Sequence, residues 1–337
     1  MRVQGDISRR HLLALSAAAG GAALLGGPQR AAAQAAKRIE RLDPALDAIL
    51  DVSQPIQEPG SGYGGNRGPA EGPVWWKEGG YLLFNDIHNN KRMKYAPGQA
   101  VVVDLEPTNR ANGLTRDPQG RLVSCEHDSR RVARRELDGS LTVIANSFQG
   151  KRLNRPNDVV VKSDGSYYFT DPAASIVPEQ WDLNFSGVYR VTPDLGSMNL
   201  LINHFINPNG LAFSPDESVL YIVDSRRRQI FAFDVLPNGM LAKQTERLFA
   251  DLGGAAPGNP DGIKVDTLGN VYSGGSGGLW ILDSTGKKLG RIVRGQPATT
   301  NIAFGGADWK TLYFTSRTHL GAVNLKIAGL PVPTPKK

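Results

Sequence analysis

Six acid or amide residues recur along this chain, each at the start of an apolar run typical of a β-strand. Successive members lie 41, 45, 52, 52 and 40 residues apart, and they are Glu71, Asn112, Asn157, Asn209, Asp261 and Asn301. A repeat of about 40–50 residues is typical of propellers and solenoids, in which each repeat is one supersecondary unit that packs on its neighbours. If each repeat is one blade, all six polar residues point towards a shared axis.

The order of elements within each repeat is the same. In the third repeat, Val159-Val160-Val161 is followed by the turn Ser163-Asp164-Gly165 and by two more apolar runs, at 167–170 and 187–191. Asp-Gly and Pro-Asp pairs are typical of hairpin turns, and a fourth, more polar strand fits the interval before the next repeat. Four strands in each of six repeats predict an all-β fold, a six-bladed β-propeller, over a single domain at residues 65–330.

Residues 1–35 are expected to lie outside this fold. Ser8-Arg9-Arg10 carries a twin arginine, an apolar Ala/Gly/Leu run continues to Gly27, and Ala33-Gln34-Ala35 fits a small-residue cleavage site. This pattern predicts a cleaved twin-arginine export signal, the export machinery as a partner, and a periplasmic or exported protein. The alternatives are a membrane anchor or a disordered leader, but the run is too short and too rich in glycine for a stable anchor. Residues 36–64 form a leading segment to which no structure is assigned.

The charge pattern argues against nucleic acid as a partner. Removal of residues 1–35 lowers the formal net charge from +7 to +4. The remaining basic residues are scattered, as in Arg226-Arg227-Arg228, without the interleaved aromatic residues of a nucleic-acid surface. The only cysteine is Cys125, so no internal disulfide can form, which the periplasm allows.

The polar residues at the axis suggest a metal site. Two carboxylates and two amide oxygens would converge there, from Glu71, Asn157, Asn209 and Asp261. An all-oxygen set suits one hard divalent cation, Ca²⁺ first and Mg²⁺ or Mn²⁺ next, while Zn²⁺ more often takes His or Cys. The alternative is that these residues only tie strands together through backbone hydrogen bonds. Two acids near one axis would then repel each other with no cation between them.

Several motifs carry a resemblance to a known family. Glu71-Gly72-Pro73-Val74-Trp75, Arg155-Pro156-Asn157-Asp158 and Pro260-Asp261-Gly262-Ile263, with the run 208–214, resemble the gluconolactonase, regucalcin (senescence marker protein) and luciferin-regenerating-enzyme-like family. Asn112-Gly113-Leu114 and the runs 125–127 and 169–172 resemble its bacterial gluconolactonase branch. The resemblance covers roughly residues 65–325, and it implies a six-bladed propeller with a divalent metal in its central channel.

The resemblance also implies roles for single residues. It implies that Glu71, Asn157, Asn209 and Asp261 are the metal ligands, that Arg155 and Asp158 lie by the substrate, and that Asp261 also acts as general base. Asn112 is expected to bind ring hydroxyls, and His127 to face the channel mouth as a substrate or proton-transfer residue. His88 is a second, weaker candidate for the same role. The chain departs from the branch after Asp171-Pro172, where an aromatic and a glycine are usual; this loop is expected to lie over the site.

These residues predict metal-dependent hydrolysis of a sugar-derived lactone, with D-gluconolactone as the first candidate. The metal would polarise the carbonyl, Asp261 would take a proton from water, and His127 would protonate the leaving alkoxide. One alternative is a non-enzymatic exported propeller that binds a sugar acid or a partner protein. A second is a metal-dependent phosphoesterase or organophosphatase at the same site. The pair of acids at the axis favours an enzyme.

Overall fold

A computed structural model describes residues 37–175, 177–294 and 298–334, so the predicted export signal lies outside the described residues. These residues form β-strands joined by turns and by four single-turn 3₁₀ helices, at Pro44–Ala48, Lys77–Gly79, Ala173–Ser175 and Pro178–Gln180. None of the helices in this described part of the chain has the length and apolar character needed to cross a membrane.

The strands, in chain order, are β1 (Arg38–Arg41), β2 (Gln57–Ser61), β3 (Ala70–Trp76), β4 (Tyr81–Asp86), β5 (Lys91–Tyr95), β6 (Val102–Leu105), β7 (Ala111–Arg116), β8 (Leu122–Glu126), β9 (Arg131–Arg135), β10 (Leu141–Ala145), β11 (Ser147–Phe148), β12 (Lys151–Arg152), β13 (Val159–Val161), β14 (Tyr167–Asp171), β15 (Gly187–Val191), β16 (Met198–Ile202), β17 (Pro208–Phe213), β18 (Val219–Asp224), β19 (Gln229–Val235), β20 (Leu241–Asp251), β21 (Ile263–Val265), β22 (Val271–Gly275), β23 (Gly278–Leu282), β24 (Lys288–Val293), β25 (Thr299–Gly305), β26 (Thr311–Ser316) and β27 (His319–Asn324).

The strands build six antiparallel blades, which confirms the predicted six-bladed propeller. Blades one to four are the consecutive sets β3–β6, β7–β10, β13–β16 and β17–β20, and blade five is β21–β24 with β1 added at its outer edge. Blade six is β25–β27 with β2 as its fourth strand, and β11 pairs with β12 in a separate two-stranded ribbon. The first strand of each blade, β3, β7, β13, β17, β21 or β25, carries or follows one of the six recurring polar residues.

The leading segment, to which the sequence pattern assigns no structure, closes the ring of blades. β2 pairs with β27 and β1 pairs with β24, both antiparallel. The turns between these two strands bury Leu46, Ile49 and Leu50 in the core that blades five and six share. The predicted domain boundary at residue 65 therefore separates β2 from the blade to which it belongs. A strand with few apolar residues has no clear sequence pattern, so the blade to which it belongs is known only from its partner strand.

The inner strands are irregular at the polar residues. The pairing of β3 with β4 shifts register between Glu71 and Val74, and that of β17 with β18 shifts between Pro208 and Leu211. β7 and β25 shift at Asn112 and Asn301 in the same way. A β-bulge bends the strand and redirects a side chain. In these four blades the irregularity lies beside the polar residue of the inner strand.

Glycine permits the inner strands to approach each other closely. A Cβ atom on Gly72, which has φ of +58°, would lie 1.9 Å from the carbonyl oxygen of Asn112 in the next blade. A Cβ atom on Gly210 would lie 2.4 Å from the carbonyl oxygen of Asp261, which accepts a 3.1 Å hydrogen bond from the Gly210 N–H. Each contact places the polar residue of one blade directly beside the inner strand of its neighbour.

Aromatic pairs join neighbouring blades further from the axis. Tyr168 of blade three packs edge to face on Phe213 of blade four, with ring centroids 4.9 Å apart. Trp75 of blade one stacks on Tyr313 of blade six at 5.5 Å, across the closure of the ring. Such pairs contribute about 0.5–1.5 kcal/mol each beyond the burial of their area. They fix the position of one blade relative to the next.

We expect alanine at Gly72 to destabilise the fold far more than alanine at Gly80. Both glycines have positive φ, +58° and +64°, but a Cβ atom on Gly80 meets nothing within 4 Å. Gly80→Ala should therefore lose only the roughly 1–2 kcal/mol of left-handed backbone strain. Gly72→Ala should lose about 1–3 kcal/mol more, because the strands must move apart. Urea unfolding of both variants measures the difference, and equal losses would contradict close approach at the axis.

Candidate active site

A cavity of about 350 Å³ lies at the ends of the inner strands that carry the polar residues. Seven of the eight predicted site residues line it: Glu71, Asn112, His127, Arg155, Asn157, Asn209 and Asp261. They come from blades one to five, and Arg317 of blade six completes the wall. The structure thus brings together residues that are up to 190 positions apart in the chain.

Two carboxylates, those of Glu71 and Asp261, line this cavity and lie close enough to repel each other. Burial raises the pKa of Glu71 to about 7, and the negative charge of Asp158 adds to the effect. Burial and the charge of Glu71 together raise the pKa of Asp261 well above its usual range. Desolvation and like charge both disfavour the ionised form. The pair is therefore unfavourable as two carboxylates unless a cation lies beside it.

The amide residues present oxygen atoms at the same place. The side-chain N–H of Asn209 donates to Asp261, and Oδ1 of Asn209 is buried with no hydrogen-bond partner among the described residues. A buried acceptor without a partner costs about 1–3 kcal/mol. The backbone of Asn157 is held by its N–H, which donates to the carbonyl of Thr170 at 2.8 Å, and by its carbonyl, which accepts from Gly113 at 2.9 Å.

This set of donors fits a hard divalent cation. Two adjacent carboxylates and an unpartnered amide oxygen are the ligand types that Ca²⁺ takes. No group of three or more His, Cys, Asp or Glu side chains placed to hold a metal occurs within the described ranges. The predicted ligand set contains only two residues of those types, so it would not form such a group.

Asp158, expected beside the substrate, does not line the cavity. Its side chain is 1% exposed, and its Oδ1 accepts from the N–H of Val159 at 2.9 Å. Oδ2 lies 3.4 Å from Nδ2 of Asn301, and Asn301 also hydrogen-bonds Glu71. The expected contact between Asp158 and the substrate therefore stays a prediction. The link through Asn301, which the sequence did not reveal, holds the Glu71 carboxylate instead.

His127 lies between Asn112 and Arg155 on the cavity wall. Arg155 Nη2 donates to His127 Nδ1 at 3.1 Å, so the neutral ring carries its proton on Nε2, 3.3 Å from the Asn112 amide. Oδ1 of Asn112 is buried without a partner among the described residues. Turning the amide by 180° would set that oxygen opposite the N–H. Burial, with the charge of Arg155, lowers the pKa of His127 to about 3.

A second, wider cavity of about 540 Å³ opens next to the first. It shares Asn66, Arg67, His127 and Arg155 with the inner cavity. Val177 and Gln180, from the loop between β14 and β15, also line it. That the residues directly after Asp171-Pro172 lie over the site stays a prediction. His88 lines neither cavity; its Nδ1 accepts from the backbone N–H of Arg67 at 3.3 Å, which supports the loop at 65–68.

Comparisons with known proteins agree with the fold and the motifs. The family model described as SMP-30/Gluconolactonase/LRE-like region matches residues 69–318. The chain is 32% identical over 319 residues to a gluconolactonase of Zymomonas mobilis, and the match covers 87% of each chain. It is 27% identical over 252 residues to a pentonolactonase of Haloferax volcanii, covering 73% of this chain and 80% of that one.

A solved structure is also similar to this chain. It is that of a Xanthomonas campestris protein described as a gluconolactonase important in glucose secondary metabolic pathways. It superposes with a TM-score of 0.77 at 31% sequence identity, over 87% of this chain and 96% of that one. The chain belongs to the SMP-30/gluconolactonase/LRE-like family.

Proposed function

We propose that this protein hydrolyses a sugar-derived lactone in the inner cavity, with D-gluconolactone as the first candidate. The observation that carries the proposal is the Glu71–Asp261 pair, which lies with the unpartnered Asn209 oxygen in a cavity that Arg155 also lines. Relatives from Zymomonas mobilis, Xanthomonas campestris and Haloferax volcanii carry names that describe lactone hydrolysis. These names favour a lactonase over the alternatives of a non-enzymatic binding propeller and a phosphoesterase.

The proposal includes one divalent cation, Ca²⁺ first, held by Glu71, Asn157, Asn209 and Asp261. When bound there, a cation supplies Lewis-acid polarisation of the lactone carbonyl, worth several kcal/mol. It also offsets the repulsion between the two carboxylates, which explains how the fold tolerates them side by side.

Asp261 is the proposed general base. Its carboxylate is half-buried, lines the cavity and is oriented by the side-chain N–H of Asn209. It takes the proton of the attacking water and returns it to the ring oxygen that leaves as an alcohol. Proton transfer of this kind typically contributes a factor of about 10²–10⁴.

His127 has a positioning role in this scheme. With a pKa of about 3 its ring is neutral near pH 7, so it holds no imidazolium proton to give to the leaving group. Its Nδ1 instead accepts from Arg155. That contact aims the Arg155 guanidinium, whose rigid fork can donate to substrate oxygens. One end of the Asn112 amide contacts His127 Nε2, and the other end can bind a ring hydroxyl.

The order of stability of wild type and Glu71→Gln should reverse when Ca²⁺ is added. The folded-state pKa of Glu71, about 7, exceeds the unfolded value near 4.3, so the stability of the cation-free wild type falls as pH rises through this window. At pH 8, without cation, Glu71→Gln should melt at a higher temperature than wild type. With Ca²⁺ at about 10⁴ times Kd the wild type should be the more stable, because a ligand that binds only the folded state then stabilises it by about 5.5 kcal/mol. This exceeds the roughly 4 kcal/mol that the raised pKa of Glu71 costs at pH 8.

Differential scanning calorimetry with chelator and with Ca²⁺ measures this reversal. Glu246→Gln is the matched control, since it removes the same charge from outer strand β20, and Glu246 lines neither cavity. It should respond to Ca²⁺ as the wild type does. An unchanged Ca²⁺ response in Glu71→Gln would exclude Glu71 as a ligand.

Asp261→Asn should reduce kcat on D-gluconolactone by about 10²–10⁴. Asparagine keeps an oxygen that can hold a cation but cannot take the proton. The assay follows acid release with an indicator, after subtraction of spontaneous hydrolysis, and the Ca²⁺-dependent melting shift reports whether the cation is still bound. Asp283→Asn, in the turn between β23 and β24, is the control. Wild-type turnover in Asp261→Asn would exclude Asp261 as the base.

We also propose that the protein is exported through the twin-arginine route. Replacing Arg9 and Arg10 together with lysine should keep the precursor inside the cell, because the paired arginines are what the export receptor reads. The control Arg2→Lys, which lies outside the pair, should leave export unchanged. Fractionation with N-terminal sequencing measures the result, and a mature chain that begins at Ala36 in the exported fraction of the double variant would contradict the proposal.

A further inference from the structure

Arginines concentrate at the mouth of the site. Four of them line the outer cavity, Arg67, Arg110, Arg130 and Arg155, and Arg317 lines the inner one. The one acid among the residues that line the outer cavity is Asp128. These arginines come from the loop before β3, from two loops of blade two, from the approach to β13 and from the end of β26. The fold, and no single motif, brings them together.

The positive charge here is only partly compensated. Arg110 donates to Asp128 at 2.6 Å, and Arg130 lies 3.6 Å from Asp182. Arg67 and Arg317 are exposed, and within the described ranges neither forms a salt bridge with an acidic side chain. At the outer cavity, two carboxylates, those of Asp128 and Asp182, therefore face four guanidinium groups, and the neutral ring of His127 adds no charge.

The arginines differ in their role. Arg130 Nε donates to the backbone carbonyls of Leu153 and Asn154, at 2.5 and 2.9 Å, and its Nη1 to that of Gln180 at 3.2 Å. It therefore holds the loops that form the mouth. Arg67, by contrast, makes no side-chain hydrogen bond to the described residues. Arg110 has a buried Nε without a partner there. Arg67 therefore retains its side-chain donors for a ligand, and Arg110 contributes its positive charge, with Nη1 bonded to Asp128.

A neutral sugar lactone gives no reason for this arrangement. Its hydroxyls can be bound by the amides of the inner cavity and by Arg155 alone. A guanidinium fork instead matches the two oxygens of a carboxylate or phosphate. A cluster of them in a cleft attracts anions from solution.

We propose that the natural substrate is a lactone that carries a second, anionic group, a carboxylate or a phosphate, on the end of the sugar away from the ring carbonyl. The ring lies in the inner cavity, and the anionic group lies in the outer cavity among Arg67, Arg110 and Arg155. This inference rests on the proposed lactonase function and names its substrate class. The anionic group takes no part in the reaction; the only bond broken is that of the lactone.

Three lactones test the inference: neutral D-glucono-1,5-lactone, its 6-phosphate, and D-glucaro-1,4-lactone, which carries a carboxylate. The wild type should show kcat/KM at least about tenfold higher for one anionic lactone than for the neutral one, and added NaCl should reduce this ratio by screening. Whichever anionic lactone is preferred identifies the group as phosphate or carboxylate. Arg67→Gln and Arg110→Gln should each lower the ratio about tenfold, mainly through KM.

Arg247→Gln is the matched control, because it removes one exposed arginine of outer strand β20 that pairs with Asp234. It should leave the ratio as in the wild type. Equal kcat/KM for neutral and anionic lactones, or an unchanged ratio in both mouth variants, would overturn the inference while the lactonase proposal stands. No hydrolysis of any of the three would overturn both. Release of inorganic phosphate from the 6-phosphate, in place of ring opening, would point to a phosphoesterase and would also overturn both.

Discussion

The close approach of the inner strands at the axis is the constraint on which this structure depends. The Gly72 and Gly210 positions, each directly after a polar residue, leave no space for a Cβ atom, because the backbone of the next blade occupies it. Where blade six meets blade one, Thr300 Oγ1 donates to the carbonyl of Ala70 at 2.6 Å. The polar residues are consequently held by their neighbours' backbones, and the fold forces carboxylates and amides into one small volume.

That convergence is unfavourable for the fold on its own. Burial of Glu71 and Asp261 beside each other raises the pKa of both, and Asn209 keeps a buried oxygen without a partner in the described part of the chain. Proteins tolerate such features at functional sites, where a ligand recovers the lost free energy. The aromatic contacts between blades, such as Tyr168 with Phe213, supply stability away from the axis and leave the axis open to carry chemistry.

The charges of the site are arranged by depth. The floor of the inner cavity is acidic and suits a cation, while the mouth carries arginines from several loops and suits an anion. His127 lies between the two regions and stays neutral, because burial and Arg155 both oppose its protonation. A substrate with a lactone carbonyl at one end and an anionic group at the other matches both regions at once.

The sequence by itself determined the number of blades, most of the strands within them and seven of the side chains that line the inner cavity. It could do so because the same pattern, a polar residue before an apolar strand, occurs six times. In a propeller the equivalent ends of all blades meet at the axis, so these polar residues converge there. The tertiary structure alone decided the rest. β2 has few apolar residues, so its place in blade six follows only from its pairing with β27. Asp158 does not line the cavity, and its oxygens accept from the Val159 N–H and from the Asn301 amide. The arginine cluster is formed by loops from separate blades. The distances between these loops are set by the packing of the blades, so no local sequence pattern predicts them.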